Sequence, residues 1–327
     1  AEEDTEGTSV PVGADEAPDA GATETPVPQG TAQEDDGSGG FGLGIAYASV
    51  VRREDVSARI EGSTLGADTI GVFANTKRNT IGAAAATGAA PEIAISGSVV
   101  VNVLRQNTSA SLAGGQIQSA SEVDVSAQNN NVTAGRVGYK GGGGKFGLGI
   151  SGVALVDRRS TTATVAGTGY APHVASPAEL NIAANTLGAL QTEVLSGTNS
   201  GEAGEDDEAG SGISVNIPVN AVSTTWRTRA QLNDATLEGL GTLAVTAREN
   251  ARLSNHQDSQ TEAGAGLGTI GVAITDYDSE VEAQITDAAI RAQSVALVAD
   301  SASFVQSVAI RDGQAESALQ IVTSVLR

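Results

Sequence analysis

Cysteine and methionine are absent from this chain of 327 residues, and it has only two histidines and one tryptophan. Without cysteine there is neither a disulfide framework nor a thiolate metal site. Aromatic residues make up 3% of the total. A wide globular core draws much of its buried area from large rings, so a core of Ala, Val, Ile, Leu and Gly has to be thin. A narrow, extended architecture follows. No apolar run reaches the roughly 18 residues of a membrane-spanning helix. The N-terminal AEEDTEGTSV lacks the basic and apolar regions of a signal peptide. Basic residues are scarce as well: 18 Lys and Arg stand against 39 Asp and Glu, for a net charge of −21. Such a surface disfavours nucleic acid and anionic lipid.

The acids are unevenly placed. Residues 1–36 carry eleven of them with no Lys or Arg, and residues 1–40 hold four of the eight prolines. Residues 1–40 therefore read as an acidic, irregular or flexible segment. The run GEAGEDDEAG (Gly201–Gly210) supplies five more acids. Both segments read as solvated loops with a loose attraction for divalent cations.

What is present is a repeat. One word, apolar-x-apolar-x-Ala followed by Asn, Asp or Gln, occurs as IGVFAN (Ile70–Asn75), VDVSAQ (Val123–Gln128), LNIAAN (Leu180–Asn185), LAVTAREN (Leu243–Asn250) and VALVAD (Val295–Asp300). A second word precedes each: VSARI, TSASL, TTATV, TRAQL and VEAQI, centred on Ala58, Ala110, Ala163, Ala230 and Ala283. From the second-word alanine to the first-word alanine the steps are 16, 17, 21, 17 and 16 residues; onward to the next repeat they are 36, 36, 46 and 36. The long step exceeds its neighbours by the ten residues of the acidic run. Residues 41–327 are thus an array of about five units of roughly 52 residues, starting near 41, 93, 146, 212 and 266, with a partial sixth at 317–327. FGLGI recurs at Phe41–Ile45 and Phe146–Ile150 because the same place in the array recurs.

Both words alternate with period two, the signal of a strand. Ile70, Val72 and Ala74 share one face, as do Val56, Ala58 and Ile60. The FGLGI strands are apolar on both faces, which predicts strands covered on both sides. Forty-one glycines and the lack of any sustained 3.6-residue period argue against helices. A unit near 52 residues is too short for an immunoglobulin-like domain. The fold class expected is all-β: an elongated parallel β-solenoid with two coils per unit, right-handed by the crossover rule.

Candidate chemistry is sparse. GLGISG (Gly147–Gly152) and GLGTIG (Gly266–Gly271) match G-x-G-x-x-G but lie inside strand words rather than at a helix start. GGGGK (Gly141–Lys145) lacks the first Gly and the Ser or Thr of a phosphate loop. TDYDSE (Thr275–Glu280) puts Asp276, Asp278 and Glu280 on one strand face, the one metal candidate, for Ca²⁺. The same register carries RRED (Arg52–Asp55) and DRRS (Asp157–Ser160) elsewhere, so a solvated ladder of opposite charges is the stronger reading. His173 and His256 lie in different units, with no zinc-site spacing. A polysaccharide-cleaving β-helix would need clustered carboxylates and aromatic sugar platforms, and Trp226 stands alone. No catalytic residue and no cofactor site is assigned.

With the words aligned, G-x-G-(small or apolar)-V…A-x-I…V-x-V-x-A-x-N resembles the repeats of giant bacterial surface adhesins of the filamentous-haemagglutinin-like and leukotoxin-A-like kind, over residues 41–327. The resemblance implies an exported, extracellular or cell-surface protein with an adhesive or fibre-forming role and no catalytic residues. The absence of thiols fits it. Its partners would be further repeats, other copies of the same chain, or a cell-surface receptor or glycan, with neither nucleic acid nor a transmembrane segment involved. A carbohydrate-active β-helix and a Ca²⁺-stiffened spacer are the alternatives.

Overall fold

The structure is a computed structural model; it describes residues 40–170, 178–200, 212–263, 266–314 and 318–326. The expected acidic segment 1–40 falls almost wholly outside these residues, as do the run at 201–210 and His173. Eleven strands follow one another: β1 (Phe41–Gly66), β2 (Thr69–Ala90), β3 (Ile93–Ser119), β4 (Glu122–Gly143), β5 (Phe146–Tyr170), β6 (Ala178–Ser200), β7 (Ile213–Asn233), β8 (Thr236–Ala263), β9 (Gly266–Thr286), β10 (Ala289–Gln314) and β11 (Ala318–Leu326). No helix occurs among the described residues, so none is long and apolar enough to cross a membrane.

Every long pairing is parallel, and odd strands pair with odd, even with even. Phe41 lies beside Ile93, which lies beside Phe146, then Ile213, then Gly266. The alanines that measured the repeat form ladders: Ala58, Ala110, Ala163, Ala230 and Ala283 in the odd sheet, Ala74, Ala127, Ala184, Ala247 and Ala299 in the even one. The chain is an all-β parallel β-solenoid whose sheets do not close into a barrel. Its coil differs from expectation. A residue meets its counterpart only after a whole unit, so each unit is one large coil of two long strands rather than two small coils. The reason is that neither strand of a unit breaks for some 20 residues or more, leaving no internal turn for a second coil.

The coil turns at a defined corner. Gly62, Gly114, Gly167, Asp234 and Asp287 occupy one register column, with φ of 62°, 64°, 59°, 49° and 51°. This left-handed region costs an ordinary L-residue about 1–2 kcal/mol, and only Gly, Asn or Asp visits it readily. Past the corner a short third face begins, where Gly169 and Tyr170 of β5 pair with Thr236 and Leu237 of β8.

Between the two sheets the inward side chains meet. Near the corner the core is purely apolar through the stack, from Ile70, Val72 and Leu112 to Leu232, Leu243 and Val245. Farther along it turns polar. Thr108, Thr161 and Thr228 stack in β3, β5 and β7, and hydroxyls link the sheets at Thr76–Thr108 (2.8 Å), Thr186–Thr161 (2.8 Å) and Thr186–Thr228 (2.7 Å). Close approach explains one glycine of FGLGI: a Cβ on Gly44 would stand 2.0 Å from the Thr87 carbonyl oxygen of the opposite sheet.

The corner makes a stability prediction. Gly167→Val should cost about 1–2 kcal/mol, while Asp234→Gly should leave stability unchanged or slightly raised. Thermal melts of the two variants check this; equal losses would contradict the corner assignment.

Candidate interaction surface

Because side chains alternate, every odd strand presents one set of residues inward and the next outward. The outward set of the odd sheet divides along the strand into two zones. In the first, columns headed by Phe41, Leu43, Ile45, Tyr47, Ser49 and Val51 descend through five strands as Ile, Val, Leu, Phe, Ala and Gly, with Ser223 and Asp276 ending the last. These side chains are not covered. Ile150, in the middle coil, is 45% exposed, Ile213 48% and Ile93 40%. The expectation that the FGLGI strands are covered on both sides is corrected here. The second layer lies on the inner face alone, because the even strands of the same coil pack only there.

The second zone is charged. Arg53, Arg105 and Arg158 form one outward column in three successive coils, continued by Thr225 and Asp278. Arg53 is held by Asp55 at 3.1 Å, whereas Arg105 and Arg158 have no ion pair among the described residues. The three line a depression of about 490 Å³ with Asn107, Ser160 and Arg227. Asp276, Asp278 and Glu280, the candidate Ca²⁺ ligands, point outward from β9 at its foot. Glu280 is engaged by Arg229 (2.6 Å) and Arg227 (3.4 Å), and Arg229 also reaches Glu282 at 3.3 Å. The hydrogen bond from Arg229, reinforced by the charges of Arg229 and Arg227, holds the Glu280 carboxyl below its usual range. Among the described residues no group of three or more His, Asp or Glu side chains is placed to hold a metal ion.

Beneath this zone lies a feature that the sequence reading missed. Asp157 and Arg159 of DRRS point inward and are fully buried, with 2.7 Å between Arg159 Nη2 and Asp157 Oδ2. Only Arg158, between them, joins the solvated ladder. Arg159 Nη1 donates to the Asn131 carbonyl (3.2 Å) and the Leu187 carbonyl (3.4 Å), and its guanidinium lies 4.2 Å from the Trp226 ring centroid. Gly188 supplies the room: a Cβ there would stand 2.0 Å from the indole. Trp226 is therefore a core residue and offers no platform to a sugar. One coil on, buried Glu249 accepts hydrogen bonds from Tyr277 (2.5 Å), Ser279 (2.5 Å) and Thr228 (3.4 Å). Strict parity was the available signal, since Asp157 and Arg159 share the inward phase of Val153 and Leu155. His256 sits beside Glu193 on the even sheet, remote from this surface.

Comparison with known protein families, with curated proteins and with solved structures found no match.

Two predictions follow from the chemistry under this surface. Asp157→Asn leaves a buried guanidinium without its counterion and should cost about 3–5 kcal/mol; Arg229→Ala, at the surface, should cost at most about 1 kcal/mol. Chemical denaturation of both variants provides the comparison, and similar losses would refute the buried pairing. The second concerns alkali. Burial raises the phenol pKa of Tyr139, Tyr170 and Tyr277, with the Glu249 hydrogen bond adding to it at Tyr277. Above about pH 10 the unfolded state loses these protons while the folded state keeps them. The melting temperature should hold up to that point and then fall steadily; a flat profile to pH 11 would count against it.

Proposed function

We propose that this chain is a structural and adhesive segment of a secreted or cell-surface repeat protein, whose coils stack end to end into an extracellular fibre. The supporting observation is the register, which is kept along the strands except for single shifts at Leu65/Gly66, Ala178/Glu179 and Ile290/Ala292. Five coils lie on one another with like side chains in contact, so the stack behaves as a single stiff body in which each coil serves as template for the next. Among the described residues, β1 and β2 at one end of the stack and β10 and β11 at the other each pair along one side only. An open edge of this kind recruits further strands. The outward apolar and arginine columns supply a repeating surface for attachment, and the residue set resembling the filamentous adhesins agrees with such a role.

The test is a concentration series followed by light scattering and electron microscopy on the full chain. Particles that lengthen without limit as concentration rises are expected. A population of single short particles at every concentration would reject end-to-end stacking.

A further inference from the structure

We infer that the apolar zone of the odd sheet's outer face is a docking surface for a second copy of the same chain, packed sheet against sheet. This goes beyond end-to-end stacking, which uses strand edges and leaves both faces free.

Size is the first argument. The zone takes six outward positions on each of five strands, with Asp276 the one charged residue among them. At about 3.3 Å per residue and about 4.8 Å between strands it covers roughly 800 Å². Free monomers rarely expose contiguous apolar patches beyond a few hundred Å², and about 800 Å² per partner is what a standard specific interface uses. Exposure is not confined to the outermost strand, because Ile150 lies in the middle coil and is still 45% exposed.

The second argument is the choice of partner. The even sheet's outer face is unlike this one: it carries the column Asn75, Gln128, Asn185, Arg248 and Asp300. An apolar face of this shape is matched by its own copy, which gives an isologous, closed pair. Aligned sheets about 10 Å apart would interdigitate these side chains as in a β-sandwich. The arginine column supplies the register. Sliding the copies along the strands would bury Arg105 and Arg158, which have no carboxylate partner, at a cost that confines the contact to the apolar columns.

A two-fold axis through the centre of the zone passes near Ile150 whichever in-plane direction it takes, so Ile150 meets its counterpart. The native chain has no cysteine, which makes Ile150→Cys its sole thiol. Sedimentation of the native full chain at micromolar concentration should show a dimer as the smallest associating unit, and the Ile150→Cys chain should form a disulfide-linked dimer under mild oxidation. Ile150→Lys should lose the dimer with an unchanged melting curve; Ile81→Lys, at an exposed position on the even sheet, should keep it. Should Ile150→Lys not fold, Val219→Lys in the next coil but in the same zone replaces it. A native chain that is monomeric throughout overturns the inference. So does an Ile150→Lys chain that still dimerises, or a native monomer that binds neutral phospholipid vesicles through this face. Open-ended growth that Ile150→Lys leaves untouched would overturn face pairing while leaving end-to-end stacking intact.

Discussion

The structure depends on one constraint: in a parallel ladder whose register slips only at Leu65/Gly66, Ala178/Glu179 and Ile290/Ala292, nearly every side chain sits directly against the residue one unit later. Backbone hydrogen bonds fix that relation, and everything else inherits it. A residue suited to its place once must be suited to itself, or to a close relative, about 4.8 Å away. That is why alanine stacks on alanine in five strands of each sheet. It is also why the corner repeats its left-handed backbone in every coil, with φ between 49° and 64° whether glycine or aspartate occupies it.

The interior shows how far that rule bends. Near the corner, small and branched apolar side chains fill the gap between the sheets. Farther along, hydroxyls and amides take over, and for several of them the facing strand supplies a partner, as at Thr76–Thr108, Thr186–Thr161 and Asn131–Gln106. The buried Asp157–Arg159 pair extends the same logic. Its guanidinium is held by a carboxylate, two carbonyls and an indole face, and Gly188 leaves the space. Repetition breaks here, since the column containing Arg159 holds Glu54, Gln106, Trp226 and Ser279 in other coils.

Outside, the two sheets diverge. The even face mixes amides and both signs of charge, whereas the odd face separates an apolar zone from an arginine column that ends in acids. Nothing in the coil geometry demands this division, because outward side chains in a solenoid carry no packing duty. Solvent or a partner decides them. The apolar zone that the fold does not use is what the proposed face-to-face contact would cover, and of the three stacked arginines Arg53 is paired, with Asp55.

By itself the sequence determined the strands, their parity and the repeat. Alternation places Ile70, Val72 and Ala74 inside, and the alanine spacing measures the stacking, because both are local or periodic properties written along the chain. Tertiary structure alone decided how many strands make a coil, since a 52-residue period is compatible with one turn or two until pairing partners are known. It also decided what lies across the gap. Asp157 and Arg159 read as solvated charges until β6 and β7 bring Leu187, Gly188 and Trp226 against them, and FGLGI reads as doubly covered until the second layer is found on one side only. Period and parity are one-dimensional, whereas burial depends on what another strand, far away in sequence, places opposite.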